Sequence, residues 1–392
     1  MMKWLTSETR SAIFIELRKN CRLVFGMRFL LAVLLLILTF NVQARDFGGD
    51  NPRRDSLLRY RNTVDTNYIR KYPDRFIVTL SQSLRTYDIH FRQTMTEDSL
   101  GWGSPIMMSN LKLTSGLALD FDKLSLTFGL SSQPYTNEEL RLKGKTKYTA
   151  SSLSFVLYRF RFESSYRKYQ GFYDTRTAIY DTLQDSTWTY YQDPDYSARS
   201  IRVKALFIFN KRKFSYNAAY FNTQRQLKSA GSWLMVGNIY DNLFTTNTSL
   251  IPDSSRYYFK QYGLMNHAHL QGISFGPGYS YNLVIWKTLF VNLTLTSGFD
   301  IQHRQIKTSD NSYSADYWKI GAAGDFRAAI GLNGKRMFLS LTYRQDYNSY
   351  VMQGMTIQSR YHAVDLNFGY RFKMRRGRLY KKLNQNKWYQ LI

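Results

Sequence analysis

The sequence predicts an all-β fold: a single antiparallel outer-membrane β-barrel of about 12 strands behind a cleaved N-terminal signal peptide. Three observations lead to this prediction. Apolar and polar residues alternate along many short segments between residues 75 and 372. Tight turns and long polar segments separate them, and an apolar run with a small-residue site lies near the N-terminus.

The N-terminal run reads MRFLLAVLLLILTFNVQA over residues 27–44 and has the three parts of a secretory signal peptide. Arg28 is the positive flank, an apolar core follows, and Val42-Gln43-Ala44 is the cleavage site. The core is shorter than the about 20 apolar residues that a membrane helix needs. This length favours a cleaved signal over the alternative, a retained anchor.

These features divide the chain into four predicted segments. They are a signal peptide at 1–44, a polar periplasmic lead-in at 45–74, the barrel at 75–372 and a basic periplasmic tail at 373–392. We expect Met27 to be the true start and residues 1–26 to come from an over-extended gene start. Cys21 lies before the cleavage site, so the mature protein is expected to have no cysteine and no disulfide.

Each predicted strand has apolar side chains at every second position. The predicted strands lie at 111–119, 124–130, 201–209, 214–220, 289–295, 318–330, 337–343 and 364–372. The four residues 210–213 predict a tight hairpin turn. Two segments stay open: residues 75–94 are one bent strand or two, and residues 229–240 are a strand or a loop folded inward.

Long polar segments at 168–199 and 241–262 predict loops at one end of the barrel, opposite the short turns. Alternation alone does not tell which solvent the apolar faces meet, because a soluble β-sandwich shows the same period. The signal peptide, the one-sided loops and a last strand that ends in the aromatic Phe372 favour lipid.

The formal charge of +26 comes from 54 Lys and Arg against 28 Asp and Glu. These basic residues are scattered along the chain and not gathered in one stripe, so we expect no nucleic-acid partner. The expected partners are outer-membrane lipid and its anionic glycolipid. A further expected partner is the barrel-assembly machinery, which would engage the C-terminal strand.

Several stretches in order resemble the bacterial family called domain of unknown function 4421. They are KGKTKY (143–148), KRKFSYNAAYFNTQRQLKSAGSWLMVG (211–237), SLIP (249–252) and GPGYSYNLVI (276–285). The resemblance runs from about Asp65 onward and implies a signal peptide and an outer-membrane barrel, but no activity. The chain departs from the family's pattern at Ser104-Pro105-Ile106-Met107.

Charged residues on the polar faces of the predicted strands would point into the lumen. The candidates are Arg159, Arg161, Glu163, Arg202, Lys204, Lys319, Asp325, Arg327, Arg344, Asp365 and Arg371. They are mostly basic, which fits the wall of an anion-favouring channel. The alternative is that these charges cross-link a closed lumen.

Catalytic and metal-binding signals are weak. His267 and His269 share one strand face and are weak metal candidates without an apparent third ligand. Ser229 or Ser232 with a histidine would be needed for a barrel hydrolase. We expect no catalytic residues, no metal and no cofactor in a non-enzymatic barrel, structural or weakly channel-forming with a basic lumen. The alternatives are an outer-membrane hydrolase acting on lipids and a soluble extracytoplasmic β-sandwich binding protein.

Overall fold

The computed structural model describes seven segments of the chain, all within the compact unit Asn62–Ile392. They are residues 64–72, 75–93, 104–111, 113–121, 124–131, 135–180 and 188–373. The predicted signal peptide, with Cys21, and most of the lead-in and the tail lie outside these segments. In the described segments, no helix combines the length and apolarity needed to cross a membrane.

Strands dominate the described part of the chain. They are β1 (Ile69–Lys71), β2 (Arg75–Gln93), β3 (Ile106–Met108), β4 (Thr114–Phe121), β5 (Leu124–Ser131), β6 (Lys147–Leu157), β7 (Phe160–Asp174), β8 (Gln192–Ile208), β9 (Gln224–Gln226), β10 (Ala230–Thr245), β11 (Met265–Ile285), β12 (Leu289–Thr308), β13 (Ser314–Asn333), β14 (Met337–Val351) and β15 (Met355–Lys373). The helices are α1 (Asn137–Lys143), α2 (Thr177–Tyr180), α3 (Tyr216–Tyr220) and a 3₁₀-helix (Asp253–Tyr262).

Twelve of these strands close into an antiparallel ring. Its order is β2, β4, β5, β6, β7, β8, β10, β11, β12, β13, β14 and β15, and β15 pairs back onto β2. The closing pair runs without a break from Arg75 opposite Lys373 to Gln93 opposite Met355. Short β3 bridges β2 and β7 beyond the ends of β4, β5 and β6. The prediction of a single antiparallel barrel of about 12 strands is therefore confirmed.

The two rims of the barrel differ. At one rim, tight turns join β6 to β7, β11 to β12 and β13 to β14, and the paired ends of β4 and β5, Phe121 and Leu124, lie at the same rim; we call it the turn end. The opposite rim is the loop end and carries the connections 132–146, 175–191 and 246–264. The connection 209–229, between β8 and β10, begins at the turn end and is long.

Side chains alternate between the two faces of the ring, as the strand period requires, apart from irregularities in β7 and β11 near the loop end. On β12, Leu293 and Leu295 point outward and are exposed, whereas Asn292 and Thr294 point inward and are buried. The same exposed apolar face recurs around the ring. Examples are Leu80, Leu84, Leu117, Leu126, Phe128, Leu153, Trp233, Ile273, Phe275, Ile330, Leu339, Leu341, Leu366 and Phe368. We call this continuous outer surface the apolar belt.

The structure resolves both open segments. Residues 75–93 form one strand, β2, and residues 230–245 form β10. The hairpin predicted between 201–209 and 214–220 was wrong, because residues 216–220 form α3. Helix α3 buries Tyr216, Asn217, Ala218 and Ala219 together, so it is enclosed on several sides and its sequence shows no helical stripe.

The predicted loops were too long. Strand β7 continues to Asp174, β8 already begins at Gln192, and β10 continues to Thr245. The segment predicted as the loop 241–262 also contains the 3₁₀-helix. These strand ends contain few aliphatic side chains, so the hydrophobic period that predicts strands fades before the strands end.

The backbones of β11 and β12 approach each other closely at Gly276. A Cβ atom on Gly276 would overlap the carbonyl oxygen of Ser297 and the backbone of Gly298. We expect Gly276→Ala to lower the free energy of unfolding by about 1–3 kcal/mol, because the two backbones must move apart. Urea unfolding followed by tryptophan fluorescence measures this loss.

The matched control is Gly237→Ala in β10, where a Cβ atom would lie 4.0 Å from its nearest neighbours, Phe275 and Ser274. This variant should unfold at the same urea concentration as the unmodified protein or slightly above it. Equal midpoints for the two variants would contradict the close packing at Gly276.

Candidate functional site: a charged lumen between a plug and an aromatic cluster

The turn end of the lumen is filled by the connection 209–229, which we call the plug. The start of α3 is capped by Ser215, whose hydroxyl accepts a hydrogen bond of 3.0 Å from the backbone N–H of Ala218. Strand β9 of the plug pairs antiparallel with β1, which precedes the barrel. The predicted lead-in therefore contributes a strand that holds the plug.

Hydrogen bonds tie the plug to the barrel wall. Buried Arg371 donates to the backbone oxygens of Asn222 (2.6 Å) and Gly334 (2.7 Å). Arg225 donates to the backbone oxygen of Lys287 (2.9 Å) in the turn between β11 and β12. Asn282 of β11 donates to the backbone oxygen of Ser215 (2.9 Å). The bonds from Arg371 and Asn282 satisfy the plug carbonyls of Asn222 and Ser215, and the bond from Arg225 holds the plug to a turn of the wall.

Apolar contacts seal the plug against the wall. Phe214 and Tyr216 pack in one buried cluster with Leu206 and Ile208 of β8 and with β10. The wall therefore has an apolar inner surface where the plug lies against β8 and β10. At the tip of the plug, the ring of Phe221 lies 3.2 Å from the guanidinium carbon of Arg161, a cation–π contact.

A buried aromatic cluster, which we call the cap, lies at the loop end of the lumen. Tyr87 of β2 stacks on Tyr169 of β7, with ring centroids 4.7 Å apart. The loop residues Ile251, Phe259 and Tyr262 are buried in the same cluster. Burial raises the pKa of Tyr262, in the 3₁₀-helix, to about 12.

Between the plug and the cap lies a layer of inward-facing charges. Glu163 bridges two arginines, accepting from Arg161 at 3.0 Å and from Arg327 at 3.1 Å. Arg161 also donates to Asn217 of the plug at 2.6 Å. This carboxylate therefore joins β7 to β13 and lies beside the plug.

Two further carboxylates repeat the arrangement. Asp346 of β14 lies 2.7 Å from Arg167 and 3.6 Å from Arg202.

Asp365 of β15 lies 3.1 Å from Arg85 and 3.8 Å from Arg344. A separate buried pair, Lys204 with Asp325, joins β8 to β13 across the lumen. Because buried charges without partners are unfavourable, this pairing is a condition for closing the ring.

The predicted lumen residues fall into two groups. Eight lie in the charge layer: Arg161, Glu163, Arg202, Lys204, Asp325, Arg327, Arg344 and Asp365. The other three lie elsewhere. Arg371 binds the plug at the turn end, and Arg159 lies in the turn between β6 and β7. Lys319 is exposed, because β13 pairs with β14 only over Ala323–Asn333 and residues 314–322 project beyond β14.

Sequence reasoning missed Arg85, Arg167 and Asp346. Asp346 lies past residue 343, where the predicted strand ends, and no strand bounds were predicted around Arg167. Their parity along β14 and β7 nevertheless matches that of Arg344 and Glu163. Extending the alternation through the polar ends would have found both. Arg85 lies in the middle of β2, the segment whose course was left open.

The weak catalytic and metal candidates do not meet in the structure. The ring nitrogen Nε2 of His269 lies 2.9 Å from Asp241, and the ring centroids of His267 and His269 are 6.4 Å apart. Among the described residues, no three His, Cys, Asp or Glu side chains form a group that could hold a metal.

The two candidate serines lie far from these histidines. Ser229 accepts a hydrogen bond of 2.9 Å from the backbone N–H of Val284, at the turn end of β11, and Ser232 donates to the carbonyl of its neighbour Trp233. His269 lies in β11 with Val284, about 50 Å away from it along the strand at about 3.4 Å per residue. A serine hydrolase would require a serine within hydrogen-bond reach of the histidine, and neither serine lies near His269.

Comparison with known proteins gives a family match and distant structural likenesses. The profile of the family described as Domain of unknown function (DUF4421) matches residues 63–372. No protein of curated function matches.

Among solved structures, the outer membrane protease OmpT from Escherichia coli is similar with 7% identity and a TM-score of 0.37, covering 77% of this chain and 98% of its own. The translocator domain of autotransporter NalP from Neisseria meningitidis has 10% identity and a TM-score of 0.29, covering 75% and 88%. A Pseudomonas aeruginosa FadL homologue has 10% identity and a TM-score of 0.26, covering 77% and 91%. Likeness at these scores carries no functional argument.

The bridging role of Glu163 can be tested by removing its charge. We expect Glu163→Gln to lower the free energy of unfolding by about 3–5 kcal/mol, because Arg161 and Arg327 lose the carboxylate that compensates both. The midpoint of urea unfolding measures the effect.

The matched control is Glu138→Gln in α1. Glu138 pairs with Arg141 at 2.7 Å on the surface, where solvent screens the pair. We expect its unfolding midpoint to equal that of the unmodified protein. An equally small effect of Glu163→Gln would show that the charge layer is not held by this carboxylate.

Proposed function

We propose that this chain, which belongs to the family described as Domain of unknown function (DUF4421), is a non-enzymatic outer-membrane barrel with a closed lumen. The observation that carries the proposal is the conjunction of an apolar outer belt with a lumen filled at both ends. The role that fits this geometry is structural: the barrel anchors its loop end at the cell surface without forming an open pore.

The apolar belt supports the membrane location. On β12 the outward apolar side chains extend from Leu289 to Ile301. At a rise of about 3.4 Å per residue and a tilt of about 40°, they span roughly 30 Å, close to the thickness of a bilayer core. Further toward the loop end, the outer face becomes polar, with Asp241 bound to Arg199 (3.2 Å) and to His269 (2.9 Å).

Basic residues above the belt support anionic glycolipid as a partner. Lys147, Lys168 and Arg199 lie near the loop end on the neighbouring strands β6, β7 and β8. Lys168 and Arg199 are directly opposite each other in the ladder, a position in which like charges repel. Phosphate groups of the outer leaflet would relieve this repulsion. We also propose that the assembly machinery engages β15, which ends in the exposed Phe372.

The plug and the cap support the closed lumen over the channel alternative. Arg161 and Arg327 are buried in ion pairs, and Phe221 of the plug covers Arg161. A wall that selects anions needs cations that face a continuous water path. In the described part of the chain these arginines therefore fit the alternative in which the charges cross-link a closed lumen.

A charge placed on the belt tests the membrane location. Leu295, midway along the belt on β12, is 63% exposed. We expect Leu295→Arg to lower the free energy of unfolding from lipid vesicles by about 2–4 kcal/mol, as arginine does at a bilayer midplane. Ser314→Arg, on the same outer face but beyond the belt, is the control and should have little effect. Equal effects, or recovery of the native protein in the soluble periplasmic fraction, would contradict the proposal.

Conductance tests the closed lumen. The purified protein reconstituted in planar bilayers should give no steady current, because the plug and the cap block the path between the rims. A porin reconstituted in the same bilayers supplies the positive control. Regular single-molecule current steps would favour the channel function instead.

A further inference from the structure

A cavity of about 170 Å³ remains in the lumen between the plug and the cap. The plug residues Tyr220, Phe221 and Asn222 line it on one side, and inward-facing wall residues line the rest. The volume is close to that of an engineered cavity of about 150 Å³ that takes benzene. It is therefore large enough for one small ion with water, and too small for a lipid chain.

The charges around this cavity do not balance. Its cationic lining residues are Arg85, Arg167, Arg202, Lys204, Arg327 and Arg344, and its acidic ones are Asp120, Glu163, Asp346 and Asp365. The described lining residues thus have an excess of two positive formal charges. The adjacent Arg161 and Asp325 add one charge of each sign and leave the excess unchanged. A buried excess of charge is unfavourable unless a counter-ion compensates it.

Arg344 is the cation with the weakest protein partner. Its side chain is 38% exposed although it points inward from β14, whereas the side chain of Arg327 is 8% exposed. Its ion pair with Asp365 is 3.8 Å long, and the same carboxylate is held more closely by Arg85 at 3.1 Å. The exposed part of the Arg344 guanidinium therefore faces the cavity.

Two other guanidiniums add positive charge beside Arg344. They belong to Arg85 and Arg202, whose Nε atoms are themselves buried out of reach of the cavity. Both residues line the cavity with Arg344. Guanidinium groups present planar forks of N–H donors that match phosphate oxygens well.

We propose that the lumen cavity is a binding site for a small tetrahedral oxyanion, a free phosphate or sulfate ion, with Arg344 as its main ligand and Arg85 beside it. The ion compensates the positive excess and accepts hydrogen bonds from the exposed part of the Arg344 guanidinium. The site goes beyond the proposed structural role. A conducting lumen would overturn that role, whereas the binding experiment below tests the site alone.

The test uses the full chain, purified in detergent and exchanged into chloride buffer. Inorganic phosphate replaces chloride at constant ionic strength, and the thermal midpoint is followed by tryptophan fluorescence. The unmodified protein should show a saturable rise, since a ligand that binds the folded state stabilises it. Arg344→Gln should abolish the saturable rise. Lys319→Gln, which removes one positive charge from the exposed part of β13, should retain it in full.

Three further measurements test the same site. Arg344→Lys keeps the positive charge but loses the planar fork of N–H donors, and should raise the half-saturating phosphate concentration about tenfold. Vesicles of an anionic phospholipid should not replace inorganic phosphate, and replacement by them would move the site to a lipid headgroup and overturn the proposal. Equilibrium dialysis with labelled phosphate should give one ion bound per unmodified chain, even if a variant fails to fold. No bound phosphate, or the same rise in Arg344→Gln and Lys319→Gln, would also overturn it.

Discussion

Compensation of buried charge is the constraint on which the interior of this barrel depends. A ring of 12 strands encloses more space than backbone alone can fill, and long arginines fill much of it. Three carboxylates, Glu163, Asp346 and Asp365, each serve two arginines. Glu163 and Asp346 connect strands that are not neighbours in the ring, whereas Asp365 joins β15 to its neighbours β2 and β14. The first two carboxylates therefore link opposite parts of the wall across the lumen.

The plug likewise depends on hydrogen-bond partners for its buried polar groups. A connection buried inside a barrel has backbone carbonyls and N–H groups that no ladder satisfies. In this chain Arg371 and Asn282 of the wall donate to plug carbonyls, Arg225 of the plug donates to the carbonyl of Lys287 in a wall turn, and β1 of the lead-in pairs with β9. The positive residues that the sequence scatters along the chain thus have separate tasks. Some brace the lumen, some hold the plug, and others, such as Lys168, face outward near the loop end.

The sequence predicted the fold well because alternation reports directly on a ring with one apolar and one polar face. Leu293 and Leu295 against Asn292 and Thr294 are enough to place β12. It failed where a segment is enclosed on several sides, as in α3, whose Tyr216 and Ala218 mimic a strand. The alternation of side chains along the strands predicted eight of the charges that point into the lumen. Which carboxylate binds which arginine depends on contacts between distant strands. The exposure of Lys319 depends on how far β14 reaches, and the spacing of residues in β13 does not contain that information.

The seam between β2 and β15 has a consequence for the order of assembly. Arg85 and Asp365, which face each other across this seam, are 280 positions apart in the chain. Contacts of such high sequence separation form late, because loop-closure entropy opposes them until other structure is in place. The wall of the cavity beside Arg85 is thus complete only when β15 docks. Before that step the arginines of the lumen remain hydrated, so a partly assembled barrel does not hold unpaired charge in a dry interior.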